Sequence, residues 1–450
     1  MSGPQPSGAG RGNWKNLAPS QADEDAFDYV KFRDTVKPSG YIGSVANMVK
    51  GALGGGILGG HVAYMKAGIA VALPFNLIFG IYMTFCLHIL VLSAQILYRR
   101  CRVTFMTYPD VGEAAMACFP HPKVARFSKI FRYTIDIIIG IDLYGSCACY
   151  QIIIAKSIKQ LVENLDKDAP DDAGRDIRVY LAAMMIPVIL ICLIIHLKYL
   201  APLSIVANLI ICVCIFLTVY YALVNNPRFE GMKMFTEVYN FFEFTGMVVF
   251  SMSCSGVVIP IENNMEKPKN FPKVLLTGMS IIILFTFLVS FFGYSGYLEK
   301  CESPITVNFP MTLWAKLLKG GIAIMIYVTH ALNFWVPFNL CFYYIKFLHN
   351  QNKLFMWELI YRAFFCFLVS IVAIIFPNIN ALMGFLGAFC LSNMAFIWPN
   401  LIYLMVIWQR PGLGKFRWRL WRAVILMSVG VFILICGTIV NFNELMSVFK

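Results

Sequence analysis

The sequence is poor in charged residues. Only 14% of its 450 residues are Asp, Glu, Lys or Arg, against about 25% in an ordinary soluble domain. Hydrophobic residues make up 59% of the chain, and its mean hydropathy is +0.69. Too few polar side chains are present to cover the surface of a soluble protein of this length. The composition therefore predicts an integral membrane protein.

Histidine is scarce as well, and its six copies are scattered along the chain. They form no spacing typical of a zinc-dependent hydrolase, and no nucleophile with a nearby base stands out. Most of the 14 cysteines lie inside apolar runs, where a free thiol behaves as a small hydrophobic group. The sequence therefore predicts neither an enzyme nor a protein that needs a metal or another cofactor.

The net charge of +13 comes from basic residues in short loops between apolar runs. This distribution argues against a nucleic-acid partner and identifies the lipid bilayer as the surrounding medium. Loops rich in Lys and Arg face the cytoplasm. The loops around 99–129 and 410–419 are basic, whereas the loop at 163–176 is acidic. The pattern predicts a cytoplasmic N-terminus and, with an odd number of crossings, an external C-terminus.

The chain divides into a polar tail and one membrane domain. Residues 1–40 are rich in Gly, Pro, Ser and charge, which predicts a disordered cytoplasmic tail. Residues 41–450 form a single transporter domain, in which each apolar run of about 20 residues can cross the bilayer. We predict an all-α membrane protein with about eleven spans: 42–66, 68–98, 130–160, 177–197, 200–224, 241–264, 274–297, 314–346, 355–377, 379–408 and 421–441.

Two of these spans carry sequences that weaken a helix near its middle. Residues 51–60 contain six glycines, and residues 251–256 are mostly small, with three serines before Gly256. Small residues also serve helix packing, but three adjacent glycines cost about 1 kcal/mol each in a helix. The two weak stretches open the first and the sixth span. This placement is typical of a 5+5 inverted-repeat (LeuT-like) transporter, with repeats at 42–224 and 241–408 and an added helix at 421–441.

A broken helix exposes backbone N–H groups that can hold an anion. We therefore expect the carboxylate of a substrate at the glycine run, with the second interrupted stretch and two tyrosines near the bilayer centre around the rest of the ligand. The candidate substrate-binding residues are Gly54, Gly55, Gly56, Ser251, Ser253, Cys254, Ser255, Tyr144 and Tyr327.

Several ordered motifs allow a comparison with a known family. The chain resembles the proton-coupled amino acid transporters of the amino acid/auxin permease group, particularly their insect members. The resemblance covers about residues 42–441 and implies eleven transmembrane helices and amino acid transport. Its motifs are the glycine run after Lys50, the spacing of Asp136, Gly145, Cys147 and Tyr150, the stretch 197–208, the segment from Gly256 to Met265, the stretch from Phe291 to Leu298, Val336 with Pro337, and the segments 376–378 and 387–390.

The departures from this family concern proton transfer. Asn47 stands where the family has histidine, Ser253 where it has an acidic residue, and His61 where it has proline. Intramembrane ionisable groups are the usual proton relays, so the losses at the first two positions predict facilitated exchange or uniport with weak pH dependence. Asp142 and His330 remain as groups through which protons could still serve as co-substrates. The candidate coupling or gating residues are Asn47, Lys50, Asp142, Glu262 and His330.

Other functions remain to be compared with transport. An ion channel is disfavoured because Gly293 to Gly296 resembles a filter loop only faintly and occurs once, whereas carbonyl filters combine four such loops. A nutrient sensor with the same fold, which binds amino acids with little bulk transport, stays open. We expect small or neutral L-amino acids as substrates, in either the plasma membrane or the lysosomal, endosomal or vacuolar membrane.

Overall fold

The protein is a bundle of helices in the computed structural model, which describes residues 24, 27–33, 38–52, 54–164, 174–194, 201–224, 229–408 and 410–449. Within these described residues, seven helices are long and apolar enough to cross a membrane, and two shorter apolar helices and two broken ones accompany them. Together they make the eleven predicted spans. The first repeat contains α1a (Tyr41–Ala52), α1b (Gly60–Ala67), α2 (Ile69–Cys101), α3 (Ser128–Glu163), α4 (Ile177–Cys192) and α5 (Ala201–Val224).

The second repeat follows the same order. It is joined to an eleventh helix that the sequence also predicts. Both α10 and α11 contain an internal π-helical stretch, which the sequence analysis did not predict. The elements are α6a (Val238–Ser251), α6b (Val258–Asn263), α7 (Phe271–Tyr297), α8 (Leu313–Ile345), α9 (Leu354–Ile375), α10 (Ile379–Leu386, Gly387–Ile397 and Trp398–Ile407) and α11 (Trp418–Phe432, Ile433–Gly437 and Thr438–Met446).

Both predicted interruptions are present. A 3₁₀ segment, Gly55–Gly59, separates α1a from α1b, and Gly54 before it has an extended backbone. Residues 252–257 separate α6a from α6b without regular helix. The half-helices α1b and α6a pack against each other. In addition, α1b packs against α7 and α6a packs against α10, whereas α3 packs along α8. The two breaks therefore meet in the centre of the bundle.

The bundle has two ends, which we call the first face and the second face, and each is recognised by its own contacts. At the first face, the backbone N–H of Ser39 donates to the carbonyl of Asn264 over 2.7 Å. At the second face, Lys156 donates to the carbonyl of Ser303 over 2.8 Å. The helix Tyr108–Ala117, which the sequence analysis did not predict, follows α2 at the first face and packs on α3.

Part of the predicted disordered tail is packed against the helices. Tyr29 is only 5% exposed, and its ring centroid lies 5.3 Å from that of Tyr98. The side chain of Arg33 reaches α6b, where it pairs with a carboxylate. Aromatic and charged side chains tie down residues 27–33, which the overall composition of the tail does not reveal. Residues 1–23 lie outside the described part, as do 195–200 and 165–173.

Candidate functional site

A cavity of about 380 Å³ extends from the break in α1 toward the first face. Its walls come from α1a, α3, α5, α6b and α8. Asn47 and Lys50 on the α1a wall are exposed, and Ser39 and Asn264 border the cavity at the first face. The lining residues are Ser39, Asn47, Lys50, Gly51, Gly54, Tyr150, Ile211, Val257, Pro260, Ile261, Asn264, Met325, Thr329, Leu332 and Asn333.

The glycine run contacts a tyrosine of α3 at the inner end of this cavity. Tyr150 is 6% exposed, and its hydroxyl accepts a hydrogen bond from the side-chain amide of Asn333 over 2.9 Å. A Cβ atom at Gly54 would lie 2.7 Å from the Tyr150 hydroxyl oxygen, and one at Gly55 would lie 2.8 Å from its ring. Real Cβ atoms do not approach other atoms so closely. The glycines are therefore required for the fit of Tyr150 as well as for the break.

The remaining lining residues combine polar and apolar groups. Asn47, Thr329 and Asn333 supply amides and a hydroxyl, while Ile211 and Met325 supply apolar surface. Among the described residues that line the cavity, the only side chain with a full charge at neutral pH is the lysine at position 50, and no carboxylate occurs. A few convergent polar groups in a partly apolar cavity are typical of a small-molecule site.

The interrupted stretch of α6 reaches the cavity through Val257, whereas the four predicted residues of this region do not line it. Ser251 donates to the carbonyl of Met247 in its own helix over 2.7 Å. The hydroxyls of Ser253 and Ser255 lie 3.3 Å apart, and the thiol of Cys254 lies 3.4 Å from the sulfur of Met279. The structure thus places Gly54 in the cavity wall, with Gly55 and Gly56 buried behind it, and none of these four α6 residues in the wall.

Four other predicted residues lie away from the cavity. The Tyr144 ring stacks on Phe365, with 5.7 Å between centroids. Tyr327 donates to the carbonyl of Pro187 over 2.6 Å. These tyrosines contact helices rather than the cavity, because each points to a different side of its helix from the cavity residues Tyr150 and Thr329.

The two remaining ionisable candidates are buried at separate places. His330 is 0% exposed, and its Nε2 atom lies 3.1 Å from the amide nitrogen of Gln151. This contact favours the packing interpretation of His330. One oxygen of Asp142 is buried with no hydrogen-bond partner among the described residues. Neither side chain lines the cavity.

Glu262 contributes to an ion pair beneath the cavity. Its Oε2 atom lies 3.0 Å from Arg33, and its Oε1 atom accepts from Gln95 over 3.0 Å. Both charged side chains are at most 4% exposed. The ion pair ties the N-terminal segment to α6b, whereas Asn47 and Lys50 line the cavity itself.

The second face is covered by the connection between α7 and α8. Within residues 298–312, positions 303–309 are buried, and Ile305, Thr306 and Phe309 are at most 1% exposed. Lys156 and Gln160 of α3 donate to the carbonyls of Ser303 and Val307. The cavity is therefore open toward the first face and sealed from the second.

The sequence analysis did not select Tyr150, Thr329 or Asn333 as substrate-binding residues. Tyr150 belongs to a motif of the third span, and the other two belong to a polar stretch of the eighth span that also holds His330. The available signal was the four-residue spacing between Thr329 and Asn333, which places both on one side of α8, but only the packing of α3 against α8 decides which side faces the cavity.

The comparison with known protein families agrees with a central cavity at a helix break. A family model described as a transmembrane amino acid transporter protein matches residues 37–442. The chain belongs to this family. The family and the related proteins are transporters and not enzymes, so the prediction that the chain is not an enzyme is confirmed.

Two curated relatives are amino acid transporters by name. The proton-coupled amino acid transporter-like protein pathetic of Drosophila melanogaster is 32% identical over 420 residues, which are 92% of this chain and 86% of that protein. The amino acid transporter AVT1E of Arabidopsis thaliana is 21% identical over 366 residues, 80% of this chain and 66% of that protein. The resemblance to proton-coupled amino acid transporters is confirmed.

A solved structure supports the fold. The nucleobase-cation-symport-1 family transporter MHP1, in a closed conformation with bromovinylhydantoin bound, aligns with a TM-score of 0.53 and 12% identity over 93% of each chain. At this identity the likeness concerns the fold alone. The predicted inverted-repeat transporter fold with two broken helices is confirmed.

Proposed function

We propose that this protein moves small or neutral L-amino acids across a membrane by alternating access. The observation that carries the proposal is the cavity at the break in α1, which opens to the first face while residues 298–312 cover the second. Alternating access requires a central site that is exposed to one side at a time.

The cavity suits a zwitterion with a small side chain. Helix breaks present backbone N–H groups to anions, and the N–H of Gly54 already donates to Ala52 over 2.8 Å. We therefore expect the carboxylate at the wall beside Gly54 and the Tyr150 hydroxyl, in front of the buried Gly55 and Gly56. Thr329 and Asn333 offer oxygens to the amine, while Ile211 and Met325 contact the side chain. A full negative charge in the wall would favour cationic substrates, and the described lining residues include none.

The first face is cytoplasmic in this proposal. It carries the basic loops after α2 and before α11, as the positive-inside rule requires. The conformation is then the one that exchanges substrate with the cytoplasm. The membrane is the plasma membrane or that of an endosome, lysosome or vacuole.

The transport cycle does not depend on a proton gradient in this proposal. Asn47 lies in the cavity wall and Ser253 lies next to Ser255, and neither side chain titrates near neutral pH. We therefore infer uniport or exchange. The alternative is proton-coupled accumulation of substrate, in which Asp142 or His330 binds the proton.

Uptake into proteoliposomes tests the function directly. Purified protein is given a panel of labelled amino acids, with and without an imposed pH gradient, and binding is measured on the same preparation. We expect saturable uptake of small neutral amino acids without accumulation above equilibrium. Binding without uptake would identify a sensor instead, and uptake collapsed by a protonophore would show proton coupling.

A further inference from the structure

A histidine lies directly beneath the loop that covers the second face. His61, the second residue of α1b, is 0% exposed. Its Nε2 atom lies 2.8 Å from the carbonyl oxygen of Glu302 and 3.3 Å from the amide nitrogen of Asn308. A carbonyl accepts but does not donate, so Nε2 carries the proton. The Nδ1 atom is buried with no hydrogen-bond partner among the described residues.

Three other side chains bind the backbone of the same loop as His61 does. Lys156 donates to Ser303, Gln160 donates to Val307, and Lys319 of α8 donates to Phe309 over 3.3 Å. Together with His61, they are four side chains from three helices that each bind a carbonyl of residues 302–309. We name these four residues the loop clamp. Because the loop is held through its carbonyls, the clamp depends on hydrogen-bond donors rather than on the loop side chains.

The clamp leaves no place for a second proton on the imidazole. The facing cation is Lys156, which already donates to the loop, as does Lys319 of α8. The α7 side contributes Gly293, which lies against the His61 side chain and offers no titratable group. The phenol of the next residue, Tyr294, accepts from the backbone of Lys233 instead. The loop contributes the thiol of Cys301 and the exposed side chain of Glu302, whose backbone carbonyl is the acceptor for His61.

A charged imidazolium in this pocket would have a buried Nδ1–H with no acceptor, next to a like charge. Burying an unpaired charge is costly. Once residues 301–309 withdraw, water reaches the ring, and histidine in water takes up a proton near pH 6.5.

We propose that His61 is a proton-binding site that controls the gate at the second face. The loop seats over the cavity only while the imidazole is neutral, and acid on that side stabilises the open gate. A ligand that binds one state better than the other shifts the population toward that state, and here the ligand is the proton. This inference builds on the proposed alternating access.

The proton that binds at His61 does not cross the membrane. It is taken up from the second side when the loop leaves, and it returns to the same side before the loop seats again. The pH therefore changes how often the gate opens but does not drive accumulation. The sequence shows His61 in place of the family's proline. It did not predict this effect, because only the structure shows the contact between His61 and the loop.

The gate can be observed without any substrate. Cys301 is 7% exposed, and its thiol points to the carbonyl of Gly293 at 3.7 Å. A membrane-impermeant maleimide added to purified full-length protein in liposomes reaches this thiol only when the loop withdraws. Labelling of the Cys301 peptide is quantified by mass spectrometry between pH 5.5 and 7.5. Each rate is divided by that of His61→Gln at the same pH, which cancels the pH dependence of the thiol reaction.

We expect the ratio to rise about fivefold from pH 7.5 to 5.5, because only the wild-type gate gains stability on protonation. His61→Asn provides a second neutral reference if the glutamine variant fails to fold. A ratio that stays constant with pH against both variants overturns the proposal.

Lys156→Gln is the matched control for the clamp. It weakens a loop contact without removing the titratable group, so labelling of Cys301 should rise at every pH. A slope with pH should remain, because the buried Nδ1 atom of His61 still has no acceptor for a second proton. Labelling unchanged by Lys156→Gln would show that these donors do not hold the loop, which also overturns the proposal. Since no amino acid is present, failure of this test is distinguishable from failure of the transport function.

Discussion

The two ends of the bundle are closed in different ways. At the second face, a loop lies across the entrance and four side-chain donors bind its carbonyls. At the first face, the backbone pair Ser39–Asn264 and the ion pair Arg33–Glu262 tie the N-terminal segment to α6b, but the cavity beside α1a stays open. Polar contacts are present at both ends, and only those of the second face hold a segment across the pathway.

This difference indicates what has to change in the cycle. Opening the second face requires four separate carbonyl contacts to break, and closing the first face requires α1a to approach α5 and α8 across the cavity. Gly51 of α1a lies directly against Val257 at the start of α6b: a Cβ atom added to Gly51 would be 2.8 Å from the Cγ2 atom of Val257. Because of this close contact, we expect α1a and α6b to move together.

The largest expected effect is at the inner end of the cavity. Gly55→Leu should abolish uptake, because its side chain would overlap Tyr150 and Ile153. Gly43→Leu in the same half-helix is the control, since the nearest atom to its Cβ is 3.9 Å away. Uptake and surface expression are measured for both variants. Normal uptake by Gly55→Leu would return the glycine run to a role in helix packing alone.

The next effect concerns the tie at the first face. Removing one partner of a buried ion pair costs about 3–5 kcal/mol, so Glu262→Gln and Arg33→Met should each lower the Tm in a thermal unfolding assay. The double variant should recover most of the loss, because no unpaired charge remains. Additive losses in the double variant would mean that the two side chains do not act as a pair.

A smaller effect is expected at the cavity wall. Tyr150→Phe removes the acceptor of the Asn333 amide and one polar group of the proposed carboxylate site. A hydrogen bond of this kind contributes about 1 kcal/mol, and the KM for uptake should rise about fivefold. Tyr327→Phe, whose hydroxyl binds Pro187 outside the cavity, should leave the KM unchanged. Equal effects of the two variants would argue against the Tyr150 site.

The smallest effect is a gained pH dependence. Asn47→His places a group that titrates near pH 6.5 in the exposed wall of the cavity. Uptake should then vary with the pH on the first side, while the wild type should not respond there. A wild-type response to pH on the first side would show that another group couples protons to transport.

The sequence predicted the fold well because its signals are local. Runs of apolar residues marked the spans, and adjacent glycines marked the break in α1. The site was predicted only in part. Gly54 and Lys50 lie in the cavity, but Tyr144 and Tyr327 contact other helices, because rotation of a helix about its axis depends on its partners rather than on its own sequence. The inward turn of residues 298–312 is likewise held by carbonyl contacts, which leave no pattern in the side chains.

Reciprocal accessibility tests the central claim most directly. In an Asn47→Cys variant, the new thiol reports the first-face cavity and the native Cys301 reports the second-face loop. Labelling of both is followed with an impermeant maleimide added to the corresponding side, with and without a saturating transported amino acid. Alternating access predicts that an amino acid which slows labelling at position 47 accelerates labelling of Cys301. If substrate slowed or accelerated both reactions together, the two gates would not alternate, and the account would be contradicted.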